Sequence, residues 1–312
     1  MELRRLGNSG LVVSAVGLGT NNFAARLHDE AARSVLNEAI DAGITFIDTA
    51  DVYGRGSEEG PGASENQLGR LLAGRRQHVI LATKFGHPMG ESAYDRGASR
   101  GWIVREVENS LRRLRTDYID LYQIHVPDPE TPIDETLRAL DDLVRSGKVR
   151  YVGHSNFAAW QIADADWTAR IEHLARPISA QMHYNLLRRE VQAEVIPACE
   201  RFGLGLIPYF PLESGFLTGK YTRDGAGKGR LVESQRAAEI MTPAAYDRIE
   251  RLTAFAAERG HGLLDLAFGW LLSQPVVGPV IASASSPDQV KANVAAAEWR
   301  LSAADMEAVA AI

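Results

Sequence analysis

The 312-residue sequence contains one cysteine, Cys199, and no long apolar run. A single cysteine cannot form an internal disulfide, and it excludes a cysteine-rich metal site. No segment approaches the roughly 18 consecutive apolar residues of a membrane-spanning helix. The first five residues, Met-Glu-Leu-Arg-Arg, also lack the apolar core of a signal peptide. We therefore expect a soluble, cytoplasmic protein that does not associate with a membrane.

An excess of positive charge is also missing. The chain has 34 Lys and Arg against 40 Asp and Glu, a net charge of -6 that is spread over many segments. This distribution predicts neither a nucleic-acid surface nor a basic membrane-binding face. The Gly-x-Gly-x-x-Gly fingerprint of Rossmann domains is absent too, because the nearest match, Gly17 to Asn22, ends in asparagine.

What the sequence has is a regular alternation of short apolar runs with helix-length amphipathic segments. The apolar content of 45% and charged content of 24% are those of globular proteins. A hairpin over residues 3–13 precedes eight predicted strands, at 16–20, 44–49, 79–84, 119–125, 149–153, 178–183, 204–209 and 280–283. This order predicts an α/β fold, a single (β/α)8 TIM barrel domain over residues 1–312 with an N-terminal β-hairpin. A doubly wound open sheet is the alternative.

Several residue types mark the ends of the predicted helices. Asp29 is the expected N-cap of a helix that Gly43 ends, and Ser64 is expected near the cap of the next. Pro132 is expected at the first position of its helix, and Ser286-Pro287 opens another. The connection 222–243, with Gly225, Gly227, Lys228, Gly229 and Arg230, is expected to be a lid or a disordered loop.

Polar residues end three consecutive predicted strands. Asp48, Lys84 and His125 lie at or next to these strand ends, and Tyr53 follows in the loop after Asp48. Barrel enzymes place catalytic groups at the carboxyl ends of their strands. A lysine ammonium held by a carboxylate makes a tyrosine a better acid, and an imidazole can orient a substrate carbonyl. Because no side chain donates a hydride, a nicotinamide cofactor is implied.

Several segments, in this order, make the chain similar to the aldo-keto reductase family over almost its whole length. They are Gly17–Thr20, Gly43–Gly54, Leu81–Gly86, Thr116–His125, Gly147–Asn156 and Leu217–Lys220. The resemblance implies that the family's catalytic tetrad of Asp, Tyr, Lys and His falls on Asp48, Tyr53, Lys84 and His125. It further implies an NADP(H)- or NAD(H)-dependent oxidoreductase acting on a small carbonyl or alcohol.

The resemblance also implies the cofactor contacts. Ser155, Asn156 and Gln181 would bind the nicotinamide amide, Tyr209 would stack on its ring, and Thr20 and Asp48 would lie near its ribose. The remaining expected cofactor residues are Gly19, Phe210, Pro211, Leu212, Ser214, Gly215, Leu217, Lys220, Ser283, Ser285, Gln289 and Asn293. The turn from Leu212 to Lys220 would wrap the pyrophosphate.

The chain departs from the family where the adenosine phosphate is bound. The family's arginine falls on Gln289, and another position that is often arginine is Ser285. We therefore expect NADP(H) with weaker discrimination against NAD(H) than is usual. The alternatives are an NAD-linked sugar or alcohol dehydrogenase, or a cofactor-sensing regulatory subunit like the barrel β-subunits of potassium channels.

Other side chains complete the expectations for the mouth of the barrel. Phe23, Phe85, Met89 and Phe210 are expected to be pocket wall or core. His154 and His183 lack a clear third ligand, so we expect packing or pocket-lining roles and no metal. The short C-terminus predicts an open pocket for small aldehydes, ketones or polyols. A monomer or small homo-oligomer is expected.

Overall fold

The computed structural model describes residues 1–223, 225, 229, 231, 232 and 234–312. Its strands are β1 (Leu3–Arg5), β2 (Val12–Ser14), β3 (Val16–Gly19), β4 (Phe46–Asp48), β5 (Ile80–Phe85), β6 (Ile119–Ile124), β7 (Val149–Ser155), β8 (Ser179–His183), β9 (Gly205–Tyr209) and β10 (Val280–Ala282). Its helices are α1 (Asp29–Asp41), α2 (Ala63–Leu71), α3 (Arg100–Leu114), α4 (Ile133–Arg145), α5 (Ala159–Ile171), α6 (Val195–Phe202), α7 (Ala237–Ile240), α8 (Pro243–Ala257), α9 (Leu263–Leu272), α10 (Pro287–Ala296) and α11 (Ala303–Ala310).

Eight parallel strands of the described residues form the barrel, in the order β10, β3, β4, β5, β6, β7, β8, β9. The ring closes next to β9, where the amide of Leu206 donates to the carbonyl of Val276 and the amide of Gly278 donates to Leu206, both at 2.8 Å. Each strand therefore runs in the same direction, and all of the carboxyl ends meet at one rim. The predicted (β/α)8 barrel is confirmed.

The predicted N-terminal hairpin is confirmed as β1 paired antiparallel with β2, and it covers the opposite end of the barrel. Leu6 is buried there with Phe46, Leu121 and Ile207. A Cβ on Gly7, whose φ is +57°, would lie 2.5 Å from the carbonyl oxygen of Gly203. Only glycine allows this approach, so the hairpin seals the bottom and leaves the other rim as the open end.

The larger apolar core lies between the strands and the surrounding helices. Val35, Leu68, Ile103, Leu140 and Phe268 are buried in it and belong to α1, α2, α3, α4 and α9. This double covering explains why the barrel strands have continuous apolar runs.

Three expected helix starts were wrong by one or two residues. Asp29 is the first residue of α1 after the N-cap His28, and its carboxylate accepts from Gln67 and Arg70. Ser64 lies inside α2, where its hydroxyl contacts Thr20. Pro132 is the N-cap of α4 instead of its first residue. Asp29 and Ser64 use their side chains in tertiary hydrogen bonds instead of caps, and helix boundaries commonly vary by one or two residues.

Of the long connection after β9, Asp224, Ala226, Gly227, Lys228, Arg230 and Glu233 lie outside the described residues. The expectation of a lid therefore stays a prediction. The later part of this connection contains α7.

The expected start of α10 is confirmed, because Ser286 is its N-cap and Pro287 is its first residue.

Candidate active site

A groove of about 780 Å³ opens at the carboxyl ends of the strands. This volume is within the range of small-molecule and cofactor sites. Its wall includes most residues singled out from the sequence: Gly19, Thr20, Asp48, Tyr53, His125, Ser155, Asn156, Gln181, Tyr209, Phe210, Pro211, Leu212, Ser214, Gly215, Lys220, Ser283, Ser285, Gln289 and Asn293. The structure thus brings these residues to one surface.

Lys84 lies directly beneath the groove wall and is fully buried. Its ammonium donates to Asp48 Oδ2 at 2.6 Å and to the carbonyl of Thr49 at 2.8 Å. Gln181 donates to the other oxygen of Asp48 at 3.0 Å. Burial opposes the charge on Lys84, but Asp48 and Tyr53 together outweigh it and raise the pKa of Lys84. The ammonium is therefore charged and fixed in position.

Tyr53 is held above this ion pair. Its hydroxyl lies 3.5 Å from Lys84 Nζ, and its ring is edge-on to His125 with centroids 5.9 Å apart. Burial raises the pKa of Tyr53, and the Lys84 ammonium offsets this only in part. The sequence predicted that Lys84 makes Tyr53 more acidic, whereas the net pKa of Tyr53 is raised because burial has the larger effect. The phenol is protonated at neutral pH.

His125 forms the side of the site next to Tyr53. Burial, together with the charge of Lys84 and the neighbouring His87, holds the pKa of His125 well below its usual value. The His87 ring lies edge-on to it, with centroids 4.5 Å apart. At neutral pH His125 is an uncharged imidazole that can donate one hydrogen bond without adding charge.

A hydrogen-bonded row continues from His125 to the end of β9. Asn156, at a φ of +62°, donates to the carbonyl of His125 and to the Ser155 hydroxyl, both at 3.0 Å. It accepts from the Tyr209 hydroxyl at 2.8 Å. These bonds join the buried Ser155 to the half-buried Asn156 and Tyr209, so the row is held in place without a ligand.

The turn after β9 is fixed by a buried carboxylate that sequence reasoning missed. Glu213 accepts from His183 at 2.8 Å, from Asn185 at 2.6 Å and from Arg236 at 3.3 Å. Burial opposes its charge, but the bonds from His183 and Asn185 lower the pKa of Glu213. Phe210, Glu213 and Ser214 all have a positive φ that is uncommon outside glycine. The network compensates for this conformation and holds the groove wall in place.

The far end of the groove contains uncharged polar groups. The Gln289 side-chain oxygen accepts from the Ser285 amide at 2.8 Å and from its hydroxyl at 3.0 Å. The Ser283 hydroxyl donates to Asn21 at 2.8 Å. Lys220 and Arg26 are cations that also line the groove. No Arg or Lys replaces the missing arginine at positions 283–289.

Four expectations for individual side chains need correction or refinement. Leu217 is fully buried beside Phe216 in the core and does not line the groove, because the 3-10 turn at 213–218 points it inward. Phe23 and Phe85 are likewise core, not pocket wall. His154 is buried and stacks on Phe157 at 4.5 Å. Within the described ranges, no three His, Cys, Asp or Glu side chains are grouped so that they could hold a metal.

The groove also contains residues that the sequence did not indicate. Asn21, Asn22 and Arg26 follow β3, and His87 follows β5. Their only sequence signal is a position just beyond a strand end, which is shared by many surface residues. In the part of the chain that the structure describes, no helix is long and apolar enough to span a membrane.

The structure is a (β/α)8 barrel with a lysine–carboxylate pair beneath a tyrosine at its open rim, and comparison with known proteins gives the family. The model of the "Aldo/keto reductase family" matches residues 15–312, so the chain belongs to that family of oxidoreductases. Members of the family generally use NAD(P)H.

Three relatives cover nearly the same length. An uncharacterized oxidoreductase YrpG of Bacillus subtilis is 36% identical over 96% of this chain and 92% of its own. The L-glyceraldehyde 3-phosphate reductase of Escherichia coli K12 is 33% identical over 95% and 87%. A probable voltage-gated potassium channel subunit beta of rice is 35% identical over 95% and 91%.

Proposed function

We propose that residues 1–312 form one catalytic domain that reduces small aldehydes and ketones with NADP(H), and accepts NAD(H), with Tyr53 as the general acid. The observation that carries the proposal is the Tyr53 hydroxyl 3.5 Å from an ammonium that Asp48 fixes at 2.6 Å. Reduction adds a hydride to the carbonyl carbon and a proton to its oxygen. When bound, a nicotinamide supplies the hydride.

In this proposal Tyr53 donates the proton and His125 donates a hydrogen bond that orients the carbonyl. The raised pKa of Tyr53 keeps it in the acid form that reduction requires at neutral pH. The reverse reaction requires the phenolate, which burial disfavours. We therefore propose that reduction is the favoured direction at neutral pH.

The residues at the nicotinamide end fit the cofactor's carboxamide and flat ring. Asn156, Ser155 and Gln181 present amide and hydroxyl groups, and Tyr209 adds an aromatic wall whose ring stacks on His183 at 5.3 Å. At the adenosine end, Gln289 already accepts both donors of Ser285. Fewer donors are then free for a 2'-phosphate, which supports weak discrimination between NADP(H) and NAD(H).

Arg55 places a positive charge next to His87, which lines the groove near His125. Arg55 donates to the carbonyl of Pro88 and so holds its guanidinium beside His87, whose pKa is lowered by burial and by Arg55. Arg55 forms no ion pair with a carboxylate of the described residues. We propose that small carbonyl compounds with an anionic group are bound better than neutral ones. The name of the E. coli relative, which acts on a phosphorylated aldehyde, supports this class of substrate.

The test is turnover of Tyr53→Phe with NADPH and NADH against a panel of small aldehydes. We expect kcat to fall roughly 10²- to 10⁴-fold, with cofactor affinity unchanged, because only the acidic hydroxyl is removed. Tyr94→Phe, at a side chain that is 80% exposed, is the matched control. Wild-type turnover by Tyr53→Phe would show that another group is the acid.

The similarity to the rice channel subunit supports a second candidate, a cofactor-sensing regulatory subunit. This candidate predicts tight cofactor binding with negligible turnover of every aldehyde in the panel. The same assay therefore separates it from the proposed reductase.

A further inference from the structure

The outer face of α5 exposes three large apolar side chains. Trp160, Trp167 and Ile171 are 69%, 52% and 74% exposed. Single exposed apolar residues are common, but three on one helix form a contiguous patch that marks an interaction surface. The two tryptophans are among only five in the whole chain.

Together with Asp164, these three apolar side chains form what we call the α5 stripe, and its residue spacing is symmetric. With Asp164 included, its members are Trp160, Asp164, Trp167 and Ile171, which follow one another at intervals of four, three and four residues. Such intervals place all four on one side of a helix. Because the intervals read the same in both directions, an antiparallel copy of α5 presents a matching stripe.

We propose that the α5 stripe is the contact surface of a homodimer in which two copies of α5 pack antiparallel across a twofold axis. In this pairing Trp160 faces the partner's Ile171, and Asp164 faces the partner's Trp167. Each contact occurs twice, as an isologous interface requires. The proposal does not depend on the catalytic assignment, because the stripe lies on the outside of the barrel.

Asp164 fits the pairing chemically. Among the described residues its carboxylate forms no ion pair, whereas the nearby Asp166 is bonded to Arg170 and Arg176. Across the axis, Asp164 meets an indole N–H that can donate to it and the partner's Arg170, which lies over Trp167 at 5.6 Å. The one polar residue of the stripe therefore gains a donor and an opposite charge.

The size of the stripe sets the expected strength. Fully exposed aromatic side chains present roughly 150–250 Å² each, so the three residues offer roughly 400 Å² per subunit. A standard interface buries about 800 Å² per partner. Flanking polar residues such as Gln161 and Glu172 would supply much of the remainder. We expect a dimer of micromolar affinity, not an obligate one.

The test is sedimentation velocity of the full chain across the micromolar range. We expect the wild type to change from monomer to dimer with concentration, and Trp160→Glu to be monomeric throughout. Val104→Glu, at a 42% exposed position of α3, is the matched control and should dimerise like the wild type. Asp164→Arg should weaken the dimer at least tenfold, since it places the new arginine against the partner's Arg170.

Three results would overturn the proposal. A wild type that is monomeric throughout would leave the stripe to a different occupant, such as an unrelated protein. A dimer that survives both Trp160→Glu and Asp164→Arg must use another surface. Equal dissociation by Val104→Glu would mean that added negative charge, not the stripe, determines assembly. Thermal denaturation of each variant establishes that the monomers are folded.

Discussion

The two ends of the groove, proposed above to hold the nicotinamide and the adenosine, differ in how firmly their side chains are held. At the nicotinamide end, Lys84, Asp48 and Gln181 are buried and bonded to one another. At the adenosine end, the bonds of Ser283, Ser285 and Gln289 are exposed and uncharged. Bond making requires fixed positions, whereas choosing between two cofactors requires only a few contacts to one phosphate. We expect mutations at the first end to affect turnover and stability together, and mutations at the second to affect cofactor choice alone.

Removing the lysine should have the largest effect. Lys84→Met leaves the Asp48 carboxylate buried without its cation, which should cost about 3–5 kcal/mol of unfolding free energy. Turnover should fall at least as much as in Tyr53→Phe. Urea denaturation and steady-state kinetics measure the two effects.

Two further variants test the cause of that loss. Asp48→Asn combined with Lys84→Met should recover much of the stability but none of the turnover. Lys148→Met breaks an exposed pair with Glu108 and should cost less than about 1 kcal/mol. If Lys84→Met is no more harmful than Lys148→Met, the buried pair does not stabilise this end.

Restoring the arginine at the adenosine end should shift cofactor preference. Gln289→Arg frees both Ser285 donors and adds a guanidinium that can bind a 2'-phosphate, so we expect kcat/KM with NADPH relative to NADH to rise about 10- to 100-fold. Gln289→Leu frees the same donors without adding a charge, and it should change the ratio of kcat/KM with NADPH to that with NADH much less. An unchanged ratio in Gln289→Arg would place the phosphate elsewhere.

A smaller and more selective effect is expected at the substrate end. Arg55→Gln should raise KM about tenfold for a carboxylated or phosphorylated aldehyde, because one charge-assisted hydrogen bond is lost. KM for a neutral aldehyde should not change. Arg33→Gln, on the outside of α1, makes the same change in net charge. Equal effects on both aldehydes would contradict an anion site, while turnover of the neutral aldehyde tests the reductase proposal separately.

The last prediction concerns stability in acid. The variant His154→Phe should leave turnover at neutral pH unchanged. Burial lowers the pKa of His154 from its usual 6.5 to about 3. Below pH 6.5 the unfolded chain binds a proton that the folded chain does not, so stability falls as the pH falls towards 3. His154→Phe should remove about 1.4 kcal/mol of that loss per pH unit below 6.5.

Denaturation at neutral and acidic pH measures the difference between His154→Phe and the wild type. His78→Gln, at an exposed histidine, is the matched control for the loss of an imidazole. If His154→Phe and the wild type lose stability in parallel, another buried group determines acid sensitivity.

The barrel, and the position of the four proposed catalytic residues at one rim, could be predicted because both depend on local sequence patterns. Strand order follows from alternating apolar runs, and the end of a strand places Asp48 or His125 at the rim whatever surrounds it. The resemblance to the family predicted which residues line the groove. Of the cofactor contacts that it implied, Leu217 alone lies in the core.

What could not be predicted depends on contacts between distant segments. The bonds of the buried Glu213 to His183 and Arg236 join three separate segments of the chain, and a glutamate in a polar turn gives no sign of them. The net rise in the pKa of Tyr53 also required its burial to be known, because the sequence shows the ammonium but not the loss of water. Whether Phe85 was wall or core needed the packing itself.

The hairpin at the bottom of the barrel has a consequence for synthesis. Arg4 donates to the carbonyls of Leu272 and Val277, and Asn8 donates to that of Gly203, so the hairpin docks on segments up to 273 residues further along the chain. On the ribosome the first two strands therefore emerge long before their docking surface exists. Contacts this distant in sequence slow folding and expose the nascent chain to aggregation. Yield in cells should then depend on chaperones more strongly than the stability of the finished protein would suggest.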